Sequence, residues 1–156
     1  MADVDDVAAE VIVRTGPIST YKLQKLVYYC QAWHLVWDEE PLFANRIEAW
    51  ANGPVSPTLY DGHRGRFTVS EWPKGDRSNL TESEAETVEA VVKAYGDLSG
   101  QQLSQITHSE RPWREARAGL TPGQRGNAVI STDSMYDYYS SLAAEDVESL
   151  SDFEPF

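Results

Sequence analysis

The residues best suited to chemistry in this 156-residue chain are its three histidines, His34, His63 and His108. Three imidazoles are a donor set that zinc accepts. However, no two of them have the i,i+4 spacing of a helical metal pair, and no Asp or Glu is spaced to complete a recognised motif. The sequence therefore predicts no metal site, and we expect no cofactor.

His108 also lies two residues before Glu110, in the stretch "THSE". General acid–base catalysis uses such a histidine and carboxylate. The chain has no GxSxG motif, no Gly-rich phosphate loop and no HExxH motif to accompany them. A histidine near a helix end more often bonds local backbone. We therefore expect no enzyme, with a small enzyme using His108 and Glu110 as an alternative.

Arg111, Arg114 and Arg117 recur every three residues and so share one helical face, with Arg125 soon after. This basic patch could bind phosphate or an acidic patch on a partner protein. The formal net charge of −12 favours pairing with the chain's own acidic helices instead. Nucleic acids are held mainly by Lys and Arg, so direct nucleic-acid binding is not expected and DNA-linked autoregulation through these arginines is a weak alternative.

Two further groups contain aromatic residues. Tyr138 and Tyr139 fit the buried face of a helix, whereas Tyr136 points elsewhere and is the better candidate for a binding hot spot. The stretch "EAWANGPVSPTLY" at residues 48–60 carries the second group, Trp50, Gly53, Pro54, Pro57 and Tyr60.

That second group predicts a rigid corner. Gly53 would permit a tight turn, while Pro54 and Pro57 restrict the backbone around them. Trp50 and Tyr60 would anchor the corner on the helix at 19–38. A rigid turn loses little entropy on binding, so a docking surface is the alternative to a purely architectural corner.

The element that must position these residues is the apolar segment from Ser19 to about Asp38. It is hydrophobic over most of its circumference, as in a helix around which others pack. Gln24, Gln31 and Asp38 fall seven apart and predict one narrow polar face. A short amphipathic helix precedes this segment, capped by Asp3 and ended near Gly16.

Local signals divide the rest of the chain. Residues 65–79 predict a loop held down by Phe67, Val69 and Trp72, and Ser56 or Pro57 starts a helix before it. Capping boxes begin helices at Thr81 and Ser99, Pro112 opens another turn, and Ser131 caps a last helix. The fold class is therefore mainly α: one compact domain of six to seven short helices around the central helix, with room for one small β pair.

Composition limits the class of protein further. The acidic charge favours a basic protein partner over anionic membranes, and no apolar run reaches the roughly 20 residues that a membrane span needs. The lone Cys30 lies in an apolar run and predicts a buried small hydrophobe. The acidic N-terminus lacks the basic region of a signal peptide, so the expected location is cytoplasmic.

Four segments in order carry a resemblance to a known family: "YKLQKLVYYCQAWHL" (21–35), "EPLF" with "IEAWANGPVSPTLY" (40–60), "YGDLSGQQLSQITHSERPWREAR" (95–117, with Trp113) and "ISTDSMYDYY" (130–139). The chain resembles the Panacea domain, the SocA-like or GepA-like family first noted in phage-associated genes. The resemblance covers about residues 4–142. It places a Panacea-like domain at 1–142 and leaves an acidic tail at 143–156 with little periodicity.

The resemblance implies a mostly helical antitoxin that neutralises a cognate protein toxin by binding it. A family member that acts as an adaptor implies an alternative, in which the exposed tail or N-terminus contacts an AAA+ protease that degrades the toxin. Residues 61–80 lack the family pattern, so toxin-specific contacts could lie there.

Overall fold

A computed structural model describes the backbone of residues 1–152 and the side chains of residues 1–145. Its helices, in chain order, are α1 (Val4–Thr15), α2 (Thr20–Asp38), α3 (Pro57–His63), α4 (Glu82–Tyr95), α5 (Gly100–Ser109), α6 (Arg111–Ala116) and α7 (Thr132–Asp152). Its strands are β1 (Ile18–Ser19), β2 (Glu48–Trp50), β3 (Gly53–Val55) and β4 (Thr68–Val69). The mainly helical prediction is confirmed.

The short strands form two antiparallel pairs, β1 with β4 and β2 with β3, where the sequence predicted one. In the β1–β4 pair Ile18 lies opposite Val69 and Ser19 lies opposite Thr68. A two-residue strand is too short to leave an alternating pattern, which explains why residues 65–79 predicted only loop. Within this segment Val69 and Trp72 are buried as predicted, but Phe67 is 90% exposed and holds nothing down.

Helix α2 is the centre of the core, as its sequence predicts. Helices α1, α4, α5 and α7 all pack against it. The prediction of a polar face is wrong for Gln24 and Gln31, because both are buried. The Gln31 amide accepts from the Leu42 N–H at 2.7 Å and donates to the Phe43 carbonyl at 2.8 Å. The buried glutamine therefore satisfies loop backbone that packs against α2.

The helix starts follow from short-range capping. Thr81 and Glu84 exchange the two hydrogen bonds of a capping box before α4, and Ser99 and Gln102 do the same before α5. Ser131 Oγ accepts from the Ser134 N–H at 3.0 Å at the start of α7. Helix α7 continues past residue 142, where the sequence placed the end of the domain, and residues 153–156 of the predicted tail lie outside the described residues.

The β2–β3 hairpin differs in detail from the predicted corner. Its turn is at residues 51–52, and Gly53 and Pro54 are strand residues rather than turn residues. Gly53 has a φ of 127°, and Pro54 lies opposite Ala49. On its other side β2 pairs with the segment before α7: the Ala49 N–H donates to the Ala128 carbonyl and the Ile130 N–H to the Ile47 carbonyl, both at 2.8 Å. The hairpin is thus held by distant parts of the chain.

Candidate binding cleft

An open cleft of about 730 Å³ lies between the first half of α2, the β2–β3 hairpin, α3 and the segment at 125–127. This volume is in the range of sites that hold small molecules or inserted side chains. The cleft is lined by Thr20, Tyr21, Gln24, Lys25, Glu48, Trp50, Ala51, Asn52, Val55, Tyr60, His63, Arg125, Gly126 and Asn127. It therefore contains two aromatic residues that the sequence singled out, Trp50 and Tyr60.

Trp50 and Tyr60 form an aromatic wall of the cleft. Their ring centroids are 5.0 Å apart in an edge-to-face arrangement, and Tyr60 meets His63 in the same way at 5.5 Å. Trp50 Nε1 donates to Glu48 Oε1 at 2.8 Å. Both aromatic residues are half-buried. The wall therefore combines a fixed geometry with apolar surface that a partner can reach.

Pro57 and Ser56 fix the start of α3, which carries one side of this wall. Pro57 is the first residue of the helix, and Ser56 Oγ accepts from the Leu59 N–H at 3.3 Å. The Gln24 amide accepts from the Ser56 N–H and donates to the Ser56 carbonyl, which ties α3 to α2. Gln24 Nε2 also lies 3.0 Å from His63 Nε2. Burial lowers the pKa of His63, which favours a neutral ring that accepts this hydrogen bond.

The floor of the cleft contains a lysine that the sequence analysis missed. Lys25 is fully buried on α2, and its Nζ donates to the Pro54 carbonyl at 3.1 Å. The ring centroid of Tyr21 lies 4.6 Å from the same Nζ. Burial lowers the pKa of Lys25 to about 7. In the sequence, the one indication of this buried lysine was a charged residue inside the apolar face of a predicted core helix.

The hairpin leaves room for this lysine at Gly53. A Cβ atom at position 53 would lie 2.6 Å from Cε of Lys25, well inside contact distance. Glycine therefore leaves room for the close approach and also adopts the positive φ without strain.

His108 and Glu110 contact different groups in the described structure. The His108 ring stacks flat on Trp113 with centroids 3.9 Å apart, and its Nε2 lies 3.4 Å from Ser104 Oγ. Glu110 is buried and accepts hydrogen bonds from two hydroxyl groups, Tyr29 at 2.6 Å and Tyr139 at 2.8 Å. Burial raises the pKa of Glu110 and lowers that of His108. No hydrogen bond joins the two residues in the described structure.

The three predicted arginines do not form one patch. Arg111 lies 3.7 Å from Glu115 and over the ring of Tyr138, and Arg114 is exposed. Arg117 is buried, and its Nη1 donates to the Ala49 carbonyl at 3.1 Å. Pairing with acidic helices is therefore wrong for Arg117, which instead satisfies hairpin backbone.

Trp113 connects α6 to the hairpin. Its Nε1 donates to the Trp50 carbonyl at 2.9 Å, and the guanidinium group of Arg117 covers its ring at 5.2 Å. Trp113 therefore fixes the strand whose Trp50 side chain lines the cleft.

The other candidate residues have simpler positions. Tyr136 is 38% exposed, and Tyr139 is buried. Cys30 is buried as predicted. The described residues contain no group of three His, Cys, Asp or Glu side chains placed to hold a metal ion. Within the same part of the chain, no helix is both long and apolar enough to cross a membrane.

Comparison with known proteins places this architecture in a family. The model of the family described as "Antitoxin SocA-like, Panacea domain" matches residues 23–114, more than half of the chain. The chain belongs to the SocA-like Panacea antitoxin family. This region of the Panacea domain runs from α2 to α6 and includes Lys25, the hairpin and α3, whereas Tyr21 and Arg125 lie outside it.

A curated relative agrees with the family assignment. The chain is 32% identical over 110 residues to Antitoxin SocA of Caulobacter vibrioides (strain NA1000 / CB15N). The aligned part is 62% of this chain and spans 58% of that relative's length. No solved structure gives a significant match.

Proposed function

We propose that this protein is the antitoxin of a toxin–antitoxin pair and that it neutralises a cognate protein toxin by direct contact. The observation that carries the proposal is the match of residues 23–114 to the SocA-like Panacea antitoxin family. Binding of a toxin needs no catalytic group and no cofactor. The separation of His108 from Glu110 is consistent with that mechanism.

The cleft supplies the contact surface in this proposal. Aromatic residues that are fixed in place and partly exposed are the usual anchors of protein interfaces, since they bury a large area at a low entropic cost. Trp50 and Tyr60 meet that description, because their rings pack against each other and Trp50 is also held by Glu48. A toxin segment inserted here would cover part of the toxin and block its active site or substrate surface.

Electrostatics would assist the encounter if the toxin is basic. The chain has a formal net charge of −12, so a basic toxin would be attracted before contact. Salt screens such attraction over roughly 8 Å at physiological ionic strength. The association rate should then fall as salt is added, and a rate that is independent of salt would remove this part of the proposal.

The test begins with the gene that neighbours this one. That gene is expressed in a bacterial host alone, with this protein, and with its Trp50→Ala variant, and growth and co-purification are recorded. We expect toxicity alone, rescue with a stable complex for the unchanged protein, and loss of both for the variant. A harmless neighbour, or rescue without a complex, would contradict direct neutralisation.

Trp37→Ala is the matched control. Trp37 is a 49% exposed tryptophan near the end of α2, and it is not among the residues that line the cleft. Loss of binding by Trp37→Ala with retention by Trp50→Ala would place the contact elsewhere. If Trp50 is only an architectural corner residue, Trp50→Ala should lower the free energy of unfolding by about 3 kcal/mol or more and unfold the domain. Circular dichroism of both variants therefore separates loss of contact from loss of folding.

The two alternatives from the sequence have their own tests. A small enzyme that depends on His108 is contradicted if His108→Ala still protects against the toxin. The AAA+ protease adaptor has no observation in the described structure that favours it. Deletion of residues 143–156 that keeps neutralisation but stops toxin degradation would revive it.

A further inference from the structure

Lys25 is a buried amine without a counter-ion. It is fully buried, yet no carboxylate lies within 4.0 Å of its Nζ among the described residues. Its contacts are one backbone carbonyl, that of Pro54, and the face of the Tyr21 ring. An ammonium group has three N–H donors, so these two contacts leave it incompletely satisfied. Burying such a group costs several kcal/mol unless it is paired.

The hairpin leaves space for the Lys25 side chain next to α2. The absence of a Cβ at Gly53 leaves room for the aliphatic chain of Lys25 beneath the hairpin. A methionine or leucine would fill the same space with no charge to compensate. A desolvated charge kept at the floor of an open cleft is typical of a functional site.

The charged groups that line the cleft with Lys25 are Arg125 and Glu48. Arg125 lines the cleft from the segment before α7, and His63 on α3 has its pKa lowered by burial, which favours the neutral ring. The nearest acidic side chain on the hairpin, Glu48, already accepts from Arg46 Nε at 2.7 Å and from Trp50 Nε1. With Glu48 engaged in these two contacts, Lys25 and Arg125 are the groups lining the cleft that can attract an anion.

Tyr21 forms the cover over the ammonium group. Its ring faces Nζ from one side, and its hydroxyl donates to the Asn52 carbonyl in the hairpin turn at 3.0 Å. Tyr21 is 37% exposed, and its ring also lies close to Gly100 at the start of α5, where an added Cβ would be 2.8 Å from Cδ1 of Tyr21. The ring leaves this position only by breaking the hydrogen bond to Asn52 and its contact with Nζ, and each of these interactions is modest in strength.

We propose that the cleft binds an organic carboxylate attached to a flat or apolar group, with Lys25 as its counter-ion after the Tyr21 ring moves aside. The aromatic wall of Trp50 and Tyr60 would contact the apolar part of the ligand, and Arg125 would assist the carboxylate at the rim. The carboxylate could come from a free small acid or from an acidic residue of a bound protein. The inference about the site does not depend on the proposed antitoxin function.

Benzoate is the probe for the free acid, and benzamide is its uncharged control of the same shape. The Lys25 side chain is followed by NMR of ¹³C-lysine-labelled protein, and its resonance is assigned by its absence in Lys25→Met. We expect benzoate to raise the pKa of Lys25 by about one unit for each ten-fold preference of the ligand for the protonated amine. Benzamide should leave the pKa of Lys25 unchanged.

Two variants separate binding from folding. Lys25→Met should remain folded with a raised melting temperature, because it removes an unpaired buried charge, and should weaken benzoate binding about ten-fold or more. Lys22→Met is the matched control, because Lys22 lies on the same helix and its Nζ donates to the Gly96 carbonyl outside the cleft. Its benzoate affinity should be unchanged. Tyr21→Phe keeps the ring, loses the bond to Asn52 and should bind benzoate a few-fold more tightly.

Binding of the toxin distinguishes between the two possible sources of the carboxylate. If Lys25→Met loses toxin affinity while wild-type protein ignores benzoate, the carboxylate belongs to the toxin. If benzoate binds through Lys25 and the toxin affinity is unaffected, the ligand is a free acid. The inference is overturned if Lys25→Met binds both like wild type and neither one moves the pKa of Lys25. Failure of the wild-type protein to bind any toxin would overturn the proposed function alone.

Discussion

Replacing Gly53 with alanine tests how closely the hairpin and α2 approach each other. Two separate costs are expected. The φ of 127° lies in a region that residues with a Cβ rarely adopt, which costs about 1–2 kcal/mol. The added Cβ would also lie 2.6 Å from Cε of Lys25. Overpacking of this kind costs about 1–3 kcal/mol.

The second cost is not relieved by a simple rotation of the lysine. Lys25 is fully buried, and its Nζ is fixed by the Pro54 carbonyl and the Tyr21 ring. Any shift of Cε away from the new methyl group therefore weakens those contacts. We expect Gly53→Ala to lower the free energy of unfolding by about 3.5 kcal/mol, the sum of the strain and overpacking ranges at their middle.

Urea unfolding followed by circular dichroism measures this value, with two comparisons. Gly65→Ala is the control for strain alone, because Gly65 has a φ of 83° and nothing within 4 Å of its added Cβ. The second comparison is Gly53→Ala in a Lys25→Ala background, where the clashing atoms are gone and only the strain remains. Equal costs for Gly53→Ala in both backgrounds, or a cost no larger than that of Gly65→Ala, would refute the reasoning.

Three further changes test other parts of the structure. Burial raises the pKa of Glu110, so the stability that this carboxyl group contributes is present at low pH and is lost as pH rises through the folded-state pKa. The stability of Glu110→Gln relative to wild type should therefore increase from pH 4 upward. A difference that stays constant with pH would contradict this. Arg117→Lys removes part of the hydrogen bonding to the hairpin and should cost about 2 kcal/mol in urea unfolding, with Arg114→Lys as an exposed control near zero. Thr81→Ala breaks the capping box of α4 and should cost about 1 kcal/mol, and no change in melting temperature would show that the cap contributes nothing.

The parts of the fold that were predictable from sequence depend on neighbours within a few residues. The capping boxes at Thr81 and Ser99 satisfy backbone groups three positions away, so the residue types alone identify them. The central position of α2 was also predictable, because the apolar residues around its circumference all lie within the helix itself. These features would form in any fold that keeps the helices.

The parts that were not predictable depend on distant segments. Gln31 reads as a surface residue, but it is buried because the loop at 42–43 presents backbone groups to it. Lys25 is a charged residue in a mainly apolar helix, and it is buried because the hairpin some 30 residues later closes over it. No periodicity in α2 reports where that hairpin will lie. Of the candidate cleft, the sequence therefore indicated Trp50 and Tyr60 and missed the lysine.

The flanks of the β2–β3 hairpin limit how any partner can recognise this protein. Beyond β2, the backbone pairs with residues 128–130. Beyond β3, Pro54 has no N–H, its carbonyl accepts from Lys25, and the amide of Ser56 donates to Gln24. In the described structure neither edge thus offers the continuous row of free backbone groups that strand addition requires. The hairpin is thereby protected against edge-to-edge aggregation, and a partner at this face must recognise side chains.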